Sequence, residues 1–305
     1  MPKVYICDQD GHHKNIYSIR KTMEHLNIPY TCCYDLSQMN DTYDIALCIT
    51  RYFPPDAFPK HCKVVYGPQF FVFPNDMSHP IHAQTYDPKR FFYNVLSEWN
   101  NLVFKLFAPN LSLTYIACPF GIDMNAIQPV PHHSQRNKIM VYFKRRRNDY
   151  LDSVLKFLES KQESVILLQY GAYYDQDFKH KLRESKFVIW IGTHESQGFA
   201  FQETQASNVP ILVWDVNSMY DEINYGSPVY QYLNPTEHPL TATTANCWSE
   251  ACGKKIYEFS ELEVAYTYMK ENIDSFSPRE FVQDKLSLSA TFNHLLKSIG
   301  YEASV

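Results

Sequence analysis

Glu195 and Glu203 stand eight positions apart in the stretch Glu-Ser-Gln-Gly-Phe-Ala-Phe-Gln-Glu, with Gly198 shortly after the first. Apolar runs flank them at residues 187–191 and 211–214. The order reads strand, glycine-containing turn, short helix, strand. Such an order places a helix N-terminus and two carboxylates at the carboxyl edge of a parallel sheet, where α/β proteins bind ligands. N–H groups at a helix start favour phosphate, and the carboxylates can grip hydroxyl groups beyond it. A site that takes an anion at one end and hydroxyls at the other suits a nucleotide sugar.

The elements that would position this segment follow an alternating α/β plan. Short strands are predicted at residues 4–7, 30–34, 45–49 and 64–66, with a helix over 13–26. Residues 88–107 carry Phe92, Val95, Leu96, Trp99, Val103 and Leu106 at helical spacing, which predicts one amphipathic core helix. A strand at 113–117 and a linker around Pro129 and Pro131 follow. The alternation then restarts: strand 139–143, helix 150–158, strand 165–169, helix 178–185, strand 187–191, the Glu195–Glu203 segment and the strand from 211. Such alternation implies parallel sheets with right-handed crossovers. A closing helix opens at Ser277-Pro278-Arg279-Glu280. The predicted domains are residues 1–130, residues 137–280, and a C-terminal helical segment 281–305.

The chain has 305 residues, 45% hydrophobic and 20% charged, with a net charge of -5. This composition is ordinary for a folded globular protein. The acidic balance argues against nucleic acid as the main partner, because backbone phosphates need a basic face. No apolar run approaches the roughly 20 residues of a membrane span. The start Met-Pro-Lys-Val-Tyr lacks the apolar centre of a signal peptide. The eight cysteines, among them Cys32, Cys33, Cys247 and Cys252, show no paired metal spacing and read as buried reduced thiols of a cytoplasmic protein. Tyr66, Phe70, Phe71 and Phe73 suit either core packing or a sugar-stacking wall.

The segment resembles the Glu-x7-Glu signature of retaining glycosyltransferases with the GT-B fold, in particular glycosyltransferase family 4. Glu195, Gly198, Glu203, Ala206 and Pro210 fall in register with that pattern. Asn208 stands where the family usually has Gly, Gln197 where it has Phe, and Thr204 where it has a small residue. Asn tolerates a left-handed backbone better than most residues. Cys118-Pro119-Phe120-Gly121-Ile122-Asp123 resembles the family's P-x-G-I/V-D element.

The resemblance implies two Rossmann-like domains whose parallel sheets face a central cleft. It also implies transfer of a sugar from a nucleoside diphosphate to an acceptor hydroxyl, with anomeric configuration retained. On this resemblance Glu203 binds the ribose hydroxyls, and Glu195 contacts the transferred sugar and is a catalytic candidate. Ser196, Gly198 and Phe199 lie at the donor phosphate. The basic run Lys144-Arg145-Arg146-Arg147 stands where the family carries a basic pair for the diphosphate. Lys144 and Arg145, nearest the strand end, are the expected pair. Gly171 corresponds to a loop near the base, although the stretch from Gly171 to Glu195 is a unit shorter than in the family. The implied donor is UDP- or GDP-linked, with no other cofactor.

Asp10, Gly11, His12 and His13 follow the first strand, on the side where the family meets its acceptor; His12 is a second catalytic candidate. The implied acceptor is a glycan or a lipid- or protein-linked group. Asp8-Gln9-Asp10 matches the metal-binding D-x-D of another fold, but lies too early in the chain for it. No metal is expected, because cations and the helix dipole take its place. Two other classes stay open: an inactive GT-B module that binds nucleotide or glycan, and a nucleotide-sugar epimerase.

Overall fold

The protein is described by a computed structural model covering residues 1–7, 11–68, 79–216 and 242–301. The chain divides into two units. Unit 1 comprises Met1–Asp123 and Leu286–Val305, and unit 2 comprises Met124–Lys285.

Unit 1 contains β1 (Val4–Cys7), α1 (His13–His25), β2 (Tyr30–Cys33), β3 (Ile45–Cys48), β4 (Lys63–Tyr66), β5 (Phe91–Asn94), α2 (Glu98–Phe107) and β6 (Thr114–Ile116). The strands form one parallel sheet in the order β2-β1-β3-β4-β5-β6. β1 and β3 are buried at every position. Parallel strands covered on both faces read as continuous apolar runs rather than alternating ones, which is why VYIC and IALC are recognisable as strands.

The single helix expected over residues 88–107 is not formed. Its first part is β5, buried at all four positions, and only its second part is α2. A fully buried strand and a buried helix segment share the same apolar run, so periodicity does not separate them. The break is local. Leu96 has a left-handed φ of 68°. The Asn94 side chain accepts from the N–H of Leu96 and of Cys118, both at 3.0 Å, and donates to the Cys118 carbonyl at 2.8 Å. These bonds tie the end of β5 to the chain beyond β6, a job a helix interior could not do.

Unit 2 contains β7 (Lys138–Phe143), α3 (Asn148–Ser160), β8 (Ser164–Gln169), α4 (Asp175–Glu184), β9 (Ser185–Ile191), α5 (Phe199–Ala206), β10 (Ile211–Trp214), β11 (Gly253–Ile256), α6 (Leu262–Glu271) and α7 (Pro278–Lys285). Its parallel sheet runs β11-β10-β9-β7-β8. Only α4 separates β8 from β9. Two apolar layers cover the sheet. One includes Val141, Ile189, Leu212 and Met269, and the other Tyr142, Trp190, Phe201 and Val213. After unit 2 the chain returns to unit 1 as α8 (Leu288–Ser298), which packs on α1.

All eight cysteines are free thiols. Burial pushes Cys62 and Cys247 up to about 12 and Cys118 up to about 11. Cys32 and Cys33, on β2, and Cys247 are partly exposed, and the other five are buried. A thiol reagent should therefore label Cys32 and Cys33 in the native protein, and the buried Cys7, Cys48, Cys62, Cys118 and Cys252 only on denaturation, because reaction needs access as well as the thiolate. Rapid labelling of Cys62 or Cys118 in the native protein would contradict the burial described for them. Among the described residues, no helix is long and apolar enough to cross a membrane.

Candidate functional site

The four contiguous cations after β7 do not share a direction. Lys144 follows the strand end, where its N–H donates to the Ile191 carbonyl at 2.9 Å. Its ammonium pairs with the Glu195 carboxylate and lies 4.5 Å from the centre of the Tyr170 ring. Arg145 takes a left-handed φ of 49° and places its guanidinium 5.3 Å from the same ring. Arg146 turns inward: it is 3% exposed, donates to the Gly192 carbonyl at 3.0 Å and lies over Tyr150. Arg147 pairs with Asp149 at 2.6 Å. Lys144 and Arg145 therefore share an aromatic seat at the sheet edge, whereas Arg146 braces the turn after β9. Gly171 follows Tyr170 and has open space around it, with nothing within 4 Å of the position a Cβ would take.

The turn between β9 and α5 is held from two sides. The Glu195 N–H donates to the Thr243 carbonyl at 3.0 Å. The Asn246 amide donates to the carbonyls of Glu195 and Ser196 at 2.9 and 2.6 Å. Gln197 and Gln202 lock together inside, through a 2.6 Å side-chain bond and a 2.8 Å bond from Gln202 to the Gln197 carbonyl. Gly198 is the N-cap of α5 with φ 73° and ψ 49°, the left-handed region that glycine enters without steric cost.

α5 then begins at Phe199 with no side-chain cap and no acidic residue in its first turn. The first N–H groups of a helix lack intrahelical acceptors, and its dipole is positive there. A helix start of this kind suits an anion. Glu203 follows one turn on, half-buried, with its carbonyl accepting from Ser207. The α5–β10 turn has Asn208 at φ 61°, the left-handed conformation anticipated where the family pattern has Gly.

A network not anticipated from the sequence anchors this arrangement. Asp215, just past β10, has a side chain only 1% exposed. It accepts from the N–H of Thr244 at 2.7 Å and of Val216 at 2.9 Å, from the Thr243 hydroxyl at 2.6 Å, and from Lys255 at 3.1 Å. Thr243 in turn accepts from Glu195, so the buried carboxylate reaches the Glu195 backbone through one residue. The available sequence signal was an acidic residue directly after the apolar run 211–214; apart from Val216, its partners lie 28 to 40 positions away. Under the turn, Tyr142 and Trp190 stack with centroids 3.8 Å apart, and the Tyr142 hydroxyl meets that of Tyr173 at 3.0 Å.

Lys144, Arg145, Gly171, Glu195, Ser196, Gly198, Phe199 and Glu203 all belong to unit 2, at the carboxyl ends of its strands or on α5. Gly11, His12 and His13 belong to unit 1, at the start of α1, where the two exposed imidazoles stack 4.7 Å apart. Asp8, Gln9 and Asp10 lie outside the described residues, as do Phe70, Phe71 and Phe73. Tyr66 is fully buried, with its hydroxyl on the Phe53 carbonyl at 2.7 Å, so it serves the core rather than a stacking wall.

No protein-family model matches the sequence, and no curated protein matches it. Solved structures match by shape. The lipopolysaccharide outer core galactosyltransferase WaaB, in its apo form, superposes with a TM-score of 0.52 at 9% identity, over 98% of this chain and 99% of that one. A sucrose-phosphate synthase from Thermosynechococcus elongatus gives 0.47 at 12% identity, over 98% and 99%. TarM gives 0.46 at 15% identity, over 84% of this chain but 54% of TarM, so the chain spans about half of that protein's length. Parallel sheets of six and five strands, together with the likeness to WaaB, give this chain the GT-B fold.

Proposed function

We propose that this chain is a glycosyltransferase that takes a nucleoside diphosphate sugar as donor, UDP- or GDP-linked, and passes the sugar to a hydroxyl of a glycan or of a lipid- or protein-linked acceptor. The observation that carries this reading is the convergence at one sheet edge of Lys144, Glu195 and the start of α5, with Glu203 one turn on. The diphosphate would meet Lys144, Arg145 and the first turn of α5. Charge-assisted contacts of this kind stabilise a departing diphosphate. Glu195 would hold the sugar hydroxyls and Glu203 the ribose. Transfer with retention, by a metal-independent route in which these cations balance the phosphate charge, is the form of the reaction that the resemblance of the Glu195–Glu203 segment supports. The free thiols suit a reducing compartment such as the cytoplasm.

The test is calorimetric titration with UDP, GDP and ADP and their sugar conjugates, on the wild type and on Glu203→Ala. One nucleotide family should bind, with affinity lost in Glu203→Ala. Unchanged affinity in that variant would remove Glu203 from the ribose. Lys144→Ala should weaken the nucleoside diphosphate by about 10- to 100-fold, the scale of a lost charged hydrogen bond, and barely affect the nucleoside. Equal losses for both would take Lys144 out of the phosphate site. Proton NMR of the product's anomeric centre, with and without a chelator, tests retention and metal independence. The inward turn of Arg146, which takes one cation out of the basic run, favours a second reading: a module that binds the donor without turning it over. Release of nucleoside diphosphate in the presence of acceptor decides between the two.

A further inference from the structure

Resting on that donor reading, we infer that the Lys144–Glu195 ion pair is a latch that makes the protein prefer a complete nucleotide sugar over the bare nucleoside diphosphate. The two side chains are only 15% and 13% exposed, so each charge has lost most of its water and the pair is held in a largely closed setting. Lys144 cannot swing away unnoticed. Its backbone is fixed to β9 through Ile191, and its ammonium sits between the Tyr170 ring and the Glu195 carboxylate. Glu195 is equally fixed, with its N–H on Thr243 and its carbonyl on Asn246.

A diphosphate arriving at the start of α5 competes with Glu195 for Lys144. If the ammonium turns to phosphate, the largely desolvated Glu195 carboxylate loses the Lys144 charge, which is costly. Sugar hydroxyls attached to the same diphosphate can donate to that carboxylate in place of Lys144. A bare diphosphate supplies none. Ground-state selection for the donor thus follows from one shared cation, and the spent nucleotide is expelled as the Lys144–Glu195 pair re-forms.

The experiment is calorimetry with UDP, GDP and ADP, and with UDP-glucose, GDP-mannose and ADP-glucose, on four proteins: wild type, Glu195→Gln, Lys144→Met and the Lys144→Met/Glu195→Gln double variant. In the wild type, the sugar conjugate of the accepted base should bind more tightly than the bare diphosphate. Glu195→Gln should bind the bare diphosphate about tenfold more tightly, because its competitor for Lys144 is gone, and the preference for the conjugate should vanish. In the Lys144→Met background the same Glu195 change should alter diphosphate affinity by less than about twofold, since the coupling needs both partners.

A gain that persists without Lys144 is plain charge repulsion and overturns the latch. So does no gain in Glu195→Gln. Glu195→Asp keeps the charge but withdraws it by one methylene, and should reproduce the gain; it carries the test if Glu195→Gln fails to fold. If the wild type binds none of the six nucleotides, the donor reading itself falls, and the latch with it.

Discussion

Replacing Asp215 with alanine should lower the melting temperature by roughly 10 °C, from a loss of about 3–5 kcal/mol when one partner of a buried ion pair is removed. The carboxylate is 1% exposed and accepts four hydrogen bonds. Without it, the Lys255 ammonium, itself 20% exposed, loses its counter-ion, and the Thr244 N–H loses its acceptor in a closed interior. Asp215→Asn should cost less, because an amide oxygen still accepts from the backbone while its NH2 faces Lys255. The loss should also reach the site: the Glu195 N–H, which donates to Thr243, should exchange with solvent faster in Asp215→Ala than the amides of β7. Thermal unfolding and residue-resolved hydrogen exchange check the two parts. A fall of under about 2 °C, the scale of a surface change, would mean that the loop at 243–246 is held by other contacts.

A comparable loss, about 3–4 kcal/mol, is expected for Gly253→Ala, in a position where strain and overpacking act together. Gly253 opens β11 with φ 141° and ψ −141°, a region open essentially to glycine alone. It pairs in register with Ile211, and a Cβ built on it would lie 2.0 Å from the Ile211 carbonyl oxygen and 2.8 Å from the Ile211 carbonyl carbon and nitrogen. These are backbone atoms of β10, between β9 and β11, so they cannot step aside as a side chain would. Relief would come from withdrawing β11, an edge strand, which would also carry Lys255 away from Asp215. Denaturant titration should show the midpoint falling at nearly constant slope. A loss below about 1 kcal/mol would mean that the edge yields without unpairing.

The parts of the fold legible in the sequence were those whose signal is local. β7, β9 and β10 announce themselves as apolar runs because both their faces are covered. β11 gives no such signal. Its sequence is Gly-Lys-Lys-Ile, and it is a strand because β10 offers an edge and Asp215 receives Lys255. The run at 88–107 failed for the opposite reason: its apolar residues satisfy two patterns, and the choice rests with Asn94 and its bonds to Cys118. At the site, the residue types were readable but their directions were not. Nothing in Lys-Arg-Arg-Arg tells that the third side chain points inward to Gly192, because that acceptor comes from the turn after β9, 46 positions on. The same holds for Tyr170, whose ring becomes a seat for two cations only once β8 lies beside β7.

Unit 1 is written in two pieces, with the whole of unit 2 between them. During synthesis the ribosome therefore finishes the sequence of unit 2 before unit 1 has its own last helix. Until α8 arrives, Gly121, whose neighbours include Leu288 and Thr291, and Ile122, which bridges to Ser287 and donates to the Leu286 carbonyl, lack the partners that seat them. The nascent chain carries all six strands of the first sheet, still without α8, while the sequence of unit 2 is completed. Assembly is nested rather than sequential: the unit begun first is the unit closed last.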